Sequence, residues 1–201
     1  EFVTEPKTKL KFPGEYCTRD RTTDCAPLGG LGVRVKRVAG IPVRVYAVGL
    51  YVDLRAARAA VGDRFVGGRA VDVAKDPSLF AAVLSSPDVE KTVRLVLARD
   101  VDSSKIRDAL SERLKPVLGA GSPSLKEFEG YFDGIMFKKG QSVTFSAVKG
   151  ALHTSVLGTC VGVIADPALC VALFDVYLGA NPVVPGAKQS LGERMAGFVT
   201  E

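Results

Sequence analysis

Residues 28–53 read LGGLGVRVKRVAGIPVRVYAVGLYVD, and this stretch decides both the fold and the candidate site. Two segments of alternating character flank the turn sequence at 39–42, a pattern that predicts a β-hairpin. Alternation places Arg34 on one face of the first strand, and Tyr46 lies in an otherwise apolar second strand. A single cation and a single phenol on neighbouring strands are suited to hold one anionic head group.

Arg34 has two interpretations at this stage. If its face of the hairpin lines a cleft under helices, the guanidinium is partly buried and needs an anionic partner, because an unpaired buried charge costs about 3–5 kcal/mol. The planar fork of arginine matches a carboxylate, and the phenol of Tyr46 adds a second donor. The pattern alone also fits a surface arginine on an edge strand, so it leaves both interpretations open.

The glycines of this stretch do not form a phosphate-binding loop. Gly29, Gly30 and Gly32 precede a strand rather than the first turn of a helix, and the chain has no GxGxxG or GK[ST] sequence. We therefore expect these glycines to permit a tight turn and close packing.

The rest of the pattern predicts an α+β fold. Further strands are expected at 89–101, 142–148, 151–157 and 160–164, and helices at 54–61, 76–84, 103–118, 122–132, 168–178 and 189–198. This order indicates a single domain over residues 1–201, with one antiparallel sheet and helices on one face. Residues 1–13 are expected to be an extended or flexible N-terminal segment.

Composition excludes several classes of function. The net charge of +5 is scattered and is not interleaved with aromatic residues, so we expect no nucleic-acid binding. No apolar run approaches the roughly 18 residues that cross a bilayer, so no integral membrane segment is expected. The only histidine is His153 and no CxxC pattern occurs, so neither a metal nor another cofactor is expected.

The four cysteines give a further expectation. Cys17 and Cys25 lie in a polar loop where a bridge between them is possible, whereas Cys160 and Cys170 have apolar neighbours. We favour four unbridged cysteines in a reducing compartment.

The order of several motifs resembles the chalcone isomerase fold family. LGGLGVR at 28–34 and VYAVGLYVD at 45–53 resemble its first two core strands, and the similarity continues through VEKTVRLVLARDVDSSKIRDAL, GYFDGIMFKKGQSVTF and DPALCVALFDVYLGANPVV. It covers the chain from about Pro6 to Pro185. The resemblance implies an open-faced β-sandwich, in which an antiparallel sheet carries helices on one face.

That family has an isomerase branch and a non-catalytic branch that binds fatty acids in plastids, and Arg34 matches the cation common to both. The isomerase branch has threonine, tyrosine, asparagine and threonine where this chain has Tyr46, Ile106, Arg113 and Val176. Isoleucine and valine supply no hydrogen-bond donors to a reacting ring, so the resemblance argues against an enzyme.

The fatty-acid-binding branch resembles this chain in its VYAxGxYxD strand and in its LFDxYxG helix, which contains Asp175 and Tyr177 without an evident role for either. The resemblance implies a medium- to long-chain free fatty acid whose carboxylate is held by Arg34 and Tyr46. It also implies the chloroplast stroma, although the chain begins at Glu1 without methionine and its termini do not report targeting.

Amphipathic patterns suggest an apolar cavity for the acyl chain between sheet and helices. The expected lining residues are Val48, Leu50, Val93, Leu95, Leu110, Leu114, Phe128, Phe132 and Leu173. Two alternative functions remain, a chalcone–flavanone isomerase and a non-catalytic isomerase-like accessory protein of flavonoid synthesis.

Overall fold

A computed structural model of the chain describes residues 1–18 and 23–201. The strands are β1 Phe2–Thr4, β2 Lys11–Pro13, β3 Glu15–Tyr16, β4 Ala26–Val38, β5 Ile41–Val52, β6 Lys91–Leu97, β7 Val101–Asp102, β8 Met136–Phe137, β9 Ser142–Val148, β10 Ala151–Val156 and β11 Thr159–Ile164. The α-helices are α1 Leu54–Val61, α2 Ala70–Val73, α3 Pro77–Ser85, α4 Ser103–Leu118, α5 Pro123–Gly130, α6 Pro167–Leu178 and α7 Pro185–Val199, with a 3-10 turn at Gly62–Phe65.

Seven strands form one sheet in the order β11-β10-β9-β6-β5-β4-β3, and each neighbouring pair is antiparallel. Alternate side chains of these strands enter one core together with the apolar sides of the helices. The strand members of this core include Val48, Leu50, Val93, Leu95, Val143, Phe145, Leu152 and Val156. The predicted α+β architecture, an antiparallel sheet with helices packed on one face, is therefore confirmed.

The helices begin where short polar side chains accept backbone N–H groups of the first turn. Asp53, Asp76, Asp102, Ser122 and Asp166 each cap one helix in this way. Several of these caps are followed by proline, whose fixed φ suits the first helical position. These local signals explain why most helix starts were predictable.

Residues 1–13, expected to be extended or flexible, form a small hairpin in which β1 pairs with β2. Its Phe12 is fully buried against Ala47 and Val96 on the face of the sheet opposite the helices. The ring packs directly over Gly49, where a Cβ atom would lie 2.6 Å from its Cδ1 atom. The hairpin thus covers part of the second face of the sheet.

The glycine run has a different role from the predicted turn, because Gly29, Gly30 and Gly32 lie inside β4 and helix α7 packs across them. A Cβ atom on Gly30 would overlap the carbonyl oxygen of Ala187, and one on Gly32 would lie 2.9 Å from the Ala187 nitrogen. The expected turn is wrong, whereas the expected close packing is confirmed.

The expectation that all four cysteines are unbridged is wrong, because Cys17 and Cys25 form a disulfide with their Cα atoms 4.5 Å apart. The reason is the pairing of β3 with β4, in which Tyr16 lies opposite Ala26. The two cysteines follow and precede this pair directly, so the ladder brings them together. Cys160 and Cys170 are free thiols.

Two predicted boundaries also change. The expected strand at 89–101 divides into β6, which belongs to the seven-stranded sheet, and β7, which pairs with β8 in a separate two-stranded sheet. The last helix begins at Pro185 rather than at residue 189.

Among the described residues, no helix is long and apolar enough to span a bilayer.

The contact of α7 with β4 predicts a large effect of a single methyl group. We expect Gly30→Ala to lower the free energy of unfolding by about 1–3 kcal/mol, because the added Cβ atom forces the strand and the helix backbone apart. Urea denaturation followed by circular dichroism measures this change. In Gly197→Ala, the matched control on α7, the Cβ atom meets nothing within 4 Å, so this variant should gain up to about 1 kcal/mol. Equal stability of both variants would refute the packing interpretation.

Candidate functional site

A cavity of about 630 Å³ lies between the β4–β5 hairpin and helices α4 and α6. Its apolar wall combines residues of both layers, namely Val38, Val43, Val45, Val101, Ile106, Ala109, Leu110, Val176 and Val183. The volume falls within the range of roughly 300–1,000 Å³ that is usual for small-molecule sites. The space is therefore sufficient for an apolar ligand of moderate size.

Arg34 and Tyr46 lie directly opposite each other on β4 and β5, and both line this cavity. Arg34 is half-buried, and its Nη1 atom donates to the Val183 carbonyl oxygen over 3.2 Å. No carboxylate among residues 1–18 and 23–201 lies within ion-pair distance of it. Since a guanidinium carries five N–H groups, the cation keeps donors available for a ligand.

A β-bulge in β5 controls which side chains reach the cavity. Arg34 pairs with Tyr46, whereas the next residue of β4 pairs with Arg44, so Val45 is an extra residue in β5. As a result Val45 and Tyr46 both line the cavity, and Arg44 donates instead to the Lys7 carbonyl on the other side of the sheet, over 3.0 Å. Strict alternation along β5 would place Arg44 on the same face as Tyr46, and the bulge prevents this.

The phenol of Tyr46 is a donor that stays protonated. Burial raises its pKa above the ordinary value of 10.0, and the Tyr177 hydroxyl and the Arg34 guanidinium each offset part of that rise. The Tyr177 hydroxyl interacts with that of Tyr46 without reaching ordinary hydrogen-bond geometry. Near neutral pH this wall of the cavity therefore presents one cation and one neutral O–H group.

The positions at which we expect this chain to depart from the isomerase branch line the same cavity. Ile106 and Arg113 lie on one face of α4, and Val176 faces them from α6. Arg113 donates from its Nη2 atom to the Asn181 carbonyl oxygen over 2.9 Å. Ile106 and Val176 contribute only apolar surface.

Most of the residues that were predicted to line the cavity lie in the close-packed core instead. Leu110 lines the cavity, whereas the other eight predicted residues, Val48, Leu50, Val93, Leu95, Leu114, Phe128, Phe132 and Leu173, are buried outside it. The ring centroids of Phe128 and Phe132 lie 5.4 Å apart, and those of Phe128 and Phe145 lie 5.6 Å apart. These rings fill the space between the middle of the sheet and the helices, so the cavity lies closer to the hairpin.

Sequence reasoning missed several residues of the wall for identifiable reasons. Ala109 follows the helical spacing of the apolar residues Ile106 and Leu110 on α4, so its periodicity was a usable signal. Val183 follows a proline in a loop and Val45 is the bulged residue, and neither position is marked by periodicity. Loop contacts and bulges depend on tertiary structure that a sequence pattern does not encode.

Charged side chains also line the cavity, with more basic than acidic groups among them. Lys36, Arg99, Lys105 and Arg113 line it together with Asp100, Asp102 and Glu112. Hydrogen bonds from the Lys139 backbone and the Lys138 side chain lower the pKa of Asp100, and those from Ser104 lower the pKa of Asp102. Both aspartates therefore serve local structure, and the surplus of basic groups favours an anionic ligand.

Within the part of the chain that the structure describes, no group of three or more His, Cys, Asp or Glu side chains is placed to hold a metal ion.

Comparison with known proteins places this geometry in context. Residues 26–192 match a family model described as chalcone isomerase like. Fatty-acid-binding protein 1 of Arabidopsis thaliana is 27% identical over 98% of this chain and 71% of its own length. Fatty-acid-binding protein 2 of the same plant is 25% identical over 97% of this chain, which spans about half, 51%, of that relative.

Isomerases are also among the relatives. The chalcone–flavanone isomerase of Hordeum vulgare is 25% identical over 84% of this chain and 79% of its own length. A crystal structure of an Arabidopsis thaliana fatty-acid-binding protein superposes with a TM-score of 0.84 over 99% of both chains, at 24% identity. This structural likeness shows a shared fold.

The electrostatics of the pair predict a titration result. We expect the phenol of Tyr46 to titrate above pH 10, and to titrate higher still in Arg34→Gln, because the guanidinium offsets part of the rise that burial causes. NMR of isotope-labelled tyrosine, assigned with Tyr46→Phe, measures this pKa. Arg44→Gln is the matched control on the same hairpin and should leave it unchanged. A lower pKa in Arg34→Gln would contradict the proximity of the two groups.

Proposed function

This chain belongs to the chalcone isomerase-like family, and within that family we propose that it is a non-enzymatic carrier of a free fatty acid. Arg34 and Tyr46 form a clamp that holds the carboxylate, and the acyl chain occupies the cavity between the β4–β5 hairpin and helices α4 and α6. The observation that carries this proposal is the direct cross-strand pairing of Arg34 with Tyr46 in the wall of an apolar cavity. The fatty-acid-binding relatives, which align over nearly the whole chain, support it.

The head group is recognised by charge and by donors. A carboxylate is an acceptor with two oxygen atoms, and it meets the free N–H groups of Arg34 and the O–H group of Tyr46. The bound anion also gives the half-buried guanidinium a charged partner. Charge-assisted hydrogen bonds of this kind are about twice as strong as neutral ones.

The acyl chain and the head group have separate roles in affinity. Burying a chain of about twelve carbons contributes roughly 0.8 kcal/mol per CH₂ group, or about 9 kcal/mol. Association costs about 4–15 kcal/mol, so burial of the acyl chain alone leaves a net free energy of binding close to zero. The contact with Arg34 and Tyr46 then decides both affinity and orientation.

The proposal extends to the cell compartment. The segment VTEPKTKLKFP at 3–13 resembles the mature proteins of the plastid branch, so we assign the protein to the chloroplast stroma, in support of fatty-acid metabolism. Immunodetection in purified stroma tests this assignment, and recovery of the protein only from other fractions would refute it.

The clamp predicts a loss of binding on substitution. Arg34→Ala should weaken dodecanoate binding by at least about tenfold, because it removes a charge-assisted contact that contributes about 1.5–3 kcal/mol. Isothermal titration calorimetry with dodecanoate measures the change. Arg37→Ala is the control on the same strand, since Arg37 is exposed and donates only to the nearby Gly40 carbonyl. Equal affinity of the Arg34 variant and the control would exclude the clamp.

An isomerase remains the second candidate, because the barley relative aligns over most of the chain. We expect the protein not to accelerate the conversion of chalcone to flavanone beyond its rate in solution, since Ile106 and Val176 give the reacting ring no polar contact. Loss of chalcone absorbance over time measures this rate. Turnover well above the solution rate would show that the protein is an enzyme and not a carrier. Co-purified fatty acid, found by mass spectrometry of a solvent extract of the protein, would support the carrier.

A further inference from the structure

The closed end of the β4–β5 hairpin extends beyond the seven-stranded sheet. Strand β6 pairs with β5 only over Tyr46–Val52, and β3 pairs with β4 only at Ala26 and Pro27. Among the described residues, the strand segments at 35–44 therefore pair only with each other, and we call this two-stranded segment the tip ribbon. Every residue of the tip ribbon except Val43 is exposed.

One face of the tip ribbon is largely apolar and continues the wall of the cavity. Val38 lies opposite Ile41 across the two strands, and Lys36 lies opposite Val43. Lys36, Val38 and Val43 line the cavity, and cross-strand pairing places Ile41 on the same face as Val38. Val38 and Ile41 are 59% and 65% exposed. Apolar surface therefore runs from the cavity to the outermost residue pair of the ribbon.

The charge of the tip ribbon is entirely positive. It contains Lys36, Arg37 and Arg44, whereas residues 26–52 include no Asp or Glu. No carboxylate of residues 1–18 or 23–201 lies within ion-pair distance of these three side chains. Arg37 and Arg44 donate instead to the backbone carbonyls of Gly40 and Lys7. The ribbon is therefore a cationic projection that attracts anions from outside the molecule.

The turn of the N-terminal hairpin adds to this basic surface. The bond from Arg44 to the Lys7 carbonyl brings the turn next to the ribbon, and Lys7 and Lys9 are both exposed. Glu5, the acid of this turn, is buried, and its carboxylate accepts from the backbone nitrogens of Lys7 and Thr8. The exposed charge of the turn is therefore positive as well.

We propose that the tip ribbon docks on an anionic lipid surface, with Val38 and Ile41 inserted between the lipid head groups and the basic side chains in contact with the phosphates. An apolar group that enters the interface and cations that meet anionic lipids each strengthen binding of this kind. The inference rests on the proposed function for its purpose, because docking places the apolar face that continues into the cavity at the membrane, where a fatty acid is taken up or released.

The size of the apolar surface favours a lipid partner over an acidic protein. A stable protein interface buries about 800 Å² per partner and uses roughly 20–30 residues on each side. Val38 and Ile41 at the end of a narrow ribbon are too few to form the core of such an interface. A lipid surface deforms around single side chains, so two apolar residues surrounded by cations are sufficient for reversible docking.

A site-specific fluorophore tests the docking. The chain contains no Trp, so Ile41→Trp reports on the tip ribbon alone. With vesicles of phosphatidylcholine and phosphatidylglycerol, we expect its emission to shift to shorter wavelength and to be quenched by brominated lipid. Val163→Trp is the matched control, because Val163 is 48% exposed on β11, at the opposite edge of the sheet. Its emission should not change.

The electrostatic contribution is measured by co-sedimentation with the same vesicles. Arg37→Gln should weaken binding roughly fivefold at low salt, the contribution expected of one cation at an anionic lipid surface. Arg69→Gln makes the same change of charge at the start of α2, away from the ribbon, and should leave binding unchanged. Binding of the unsubstituted protein should fall as salt is added and should be weaker to phosphatidylcholine alone.

Dodecanoate affinity in solution separates docking from ligand binding. Arg37 and Ile41 do not line the cavity, so Arg37→Gln and Ile41→Trp should bind dodecanoate as the unsubstituted protein does. Dodecanoate binding without vesicle docking would overturn the docking alone. Vesicle docking without dodecanoate binding would refute the proposed function and leave the docking in place.

Two further results would overturn the docking. One is co-sedimentation with the anionic vesicles while the emission of Ile41→Trp stays unchanged, because the contact would then lie elsewhere on the molecule. The other is binding to soluble polyglutamate without binding to vesicles, which would identify an acidic protein surface as the partner of the tip ribbon.

Discussion

The extra residue in β5 is the constraint from which the candidate site follows. A regular ladder would continue the alternation of Tyr46 into Arg44 and place a second arginine in the cavity. The bulge at Val45 interrupts that alternation, sends Arg44 to the far side of the sheet and adds apolar surface next to Tyr46. One inserted residue therefore separates Arg34, which lines the cavity, from Arg44, which contacts the N-terminal hairpin.

Helix α6 complements the bulge from the opposite layer. Of its consecutive residues, Val176 lines the cavity, whereas Tyr177 belongs to the buried core against which Tyr46 packs. The position of the helix is itself fixed by the core beneath it, where Leu173 and Phe174 are buried. The polar pair on the hairpin is thus supported by a layer that is otherwise apolar.

The sequence predicts the fold closely because its signals are local. Helix starts such as Asp76-Pro77 and Asp166-Pro167 combine a cap with proline, and alternation identifies the strands of the sheet. That Arg34 and Tyr46 lie on neighbouring strands was predictable, since a hairpin places the residues of its two strands side by side. Contacts that join distant segments were not predictable. The Cys17–Cys25 disulfide needs the pairing of β3 with β4, and the position of the cavity depends on how the Phe128 and Phe132 rings fill the core.

The protonation states of this wall argue for binding rather than chemistry. A general base works best with a pKa near the operating pH, whereas burial raises the pKa values of both Tyr46 and Tyr177. Neither phenol removes a proton near neutral pH, and the adjoining Ile106 and Val176 cannot do so. What remains is a cation next to a neutral O–H donor, an arrangement that suits an anion that is already formed. A ligand that arrives ionised, such as a carboxylate, gains from this arrangement, whereas a substrate that must be deprotonated at the site does not.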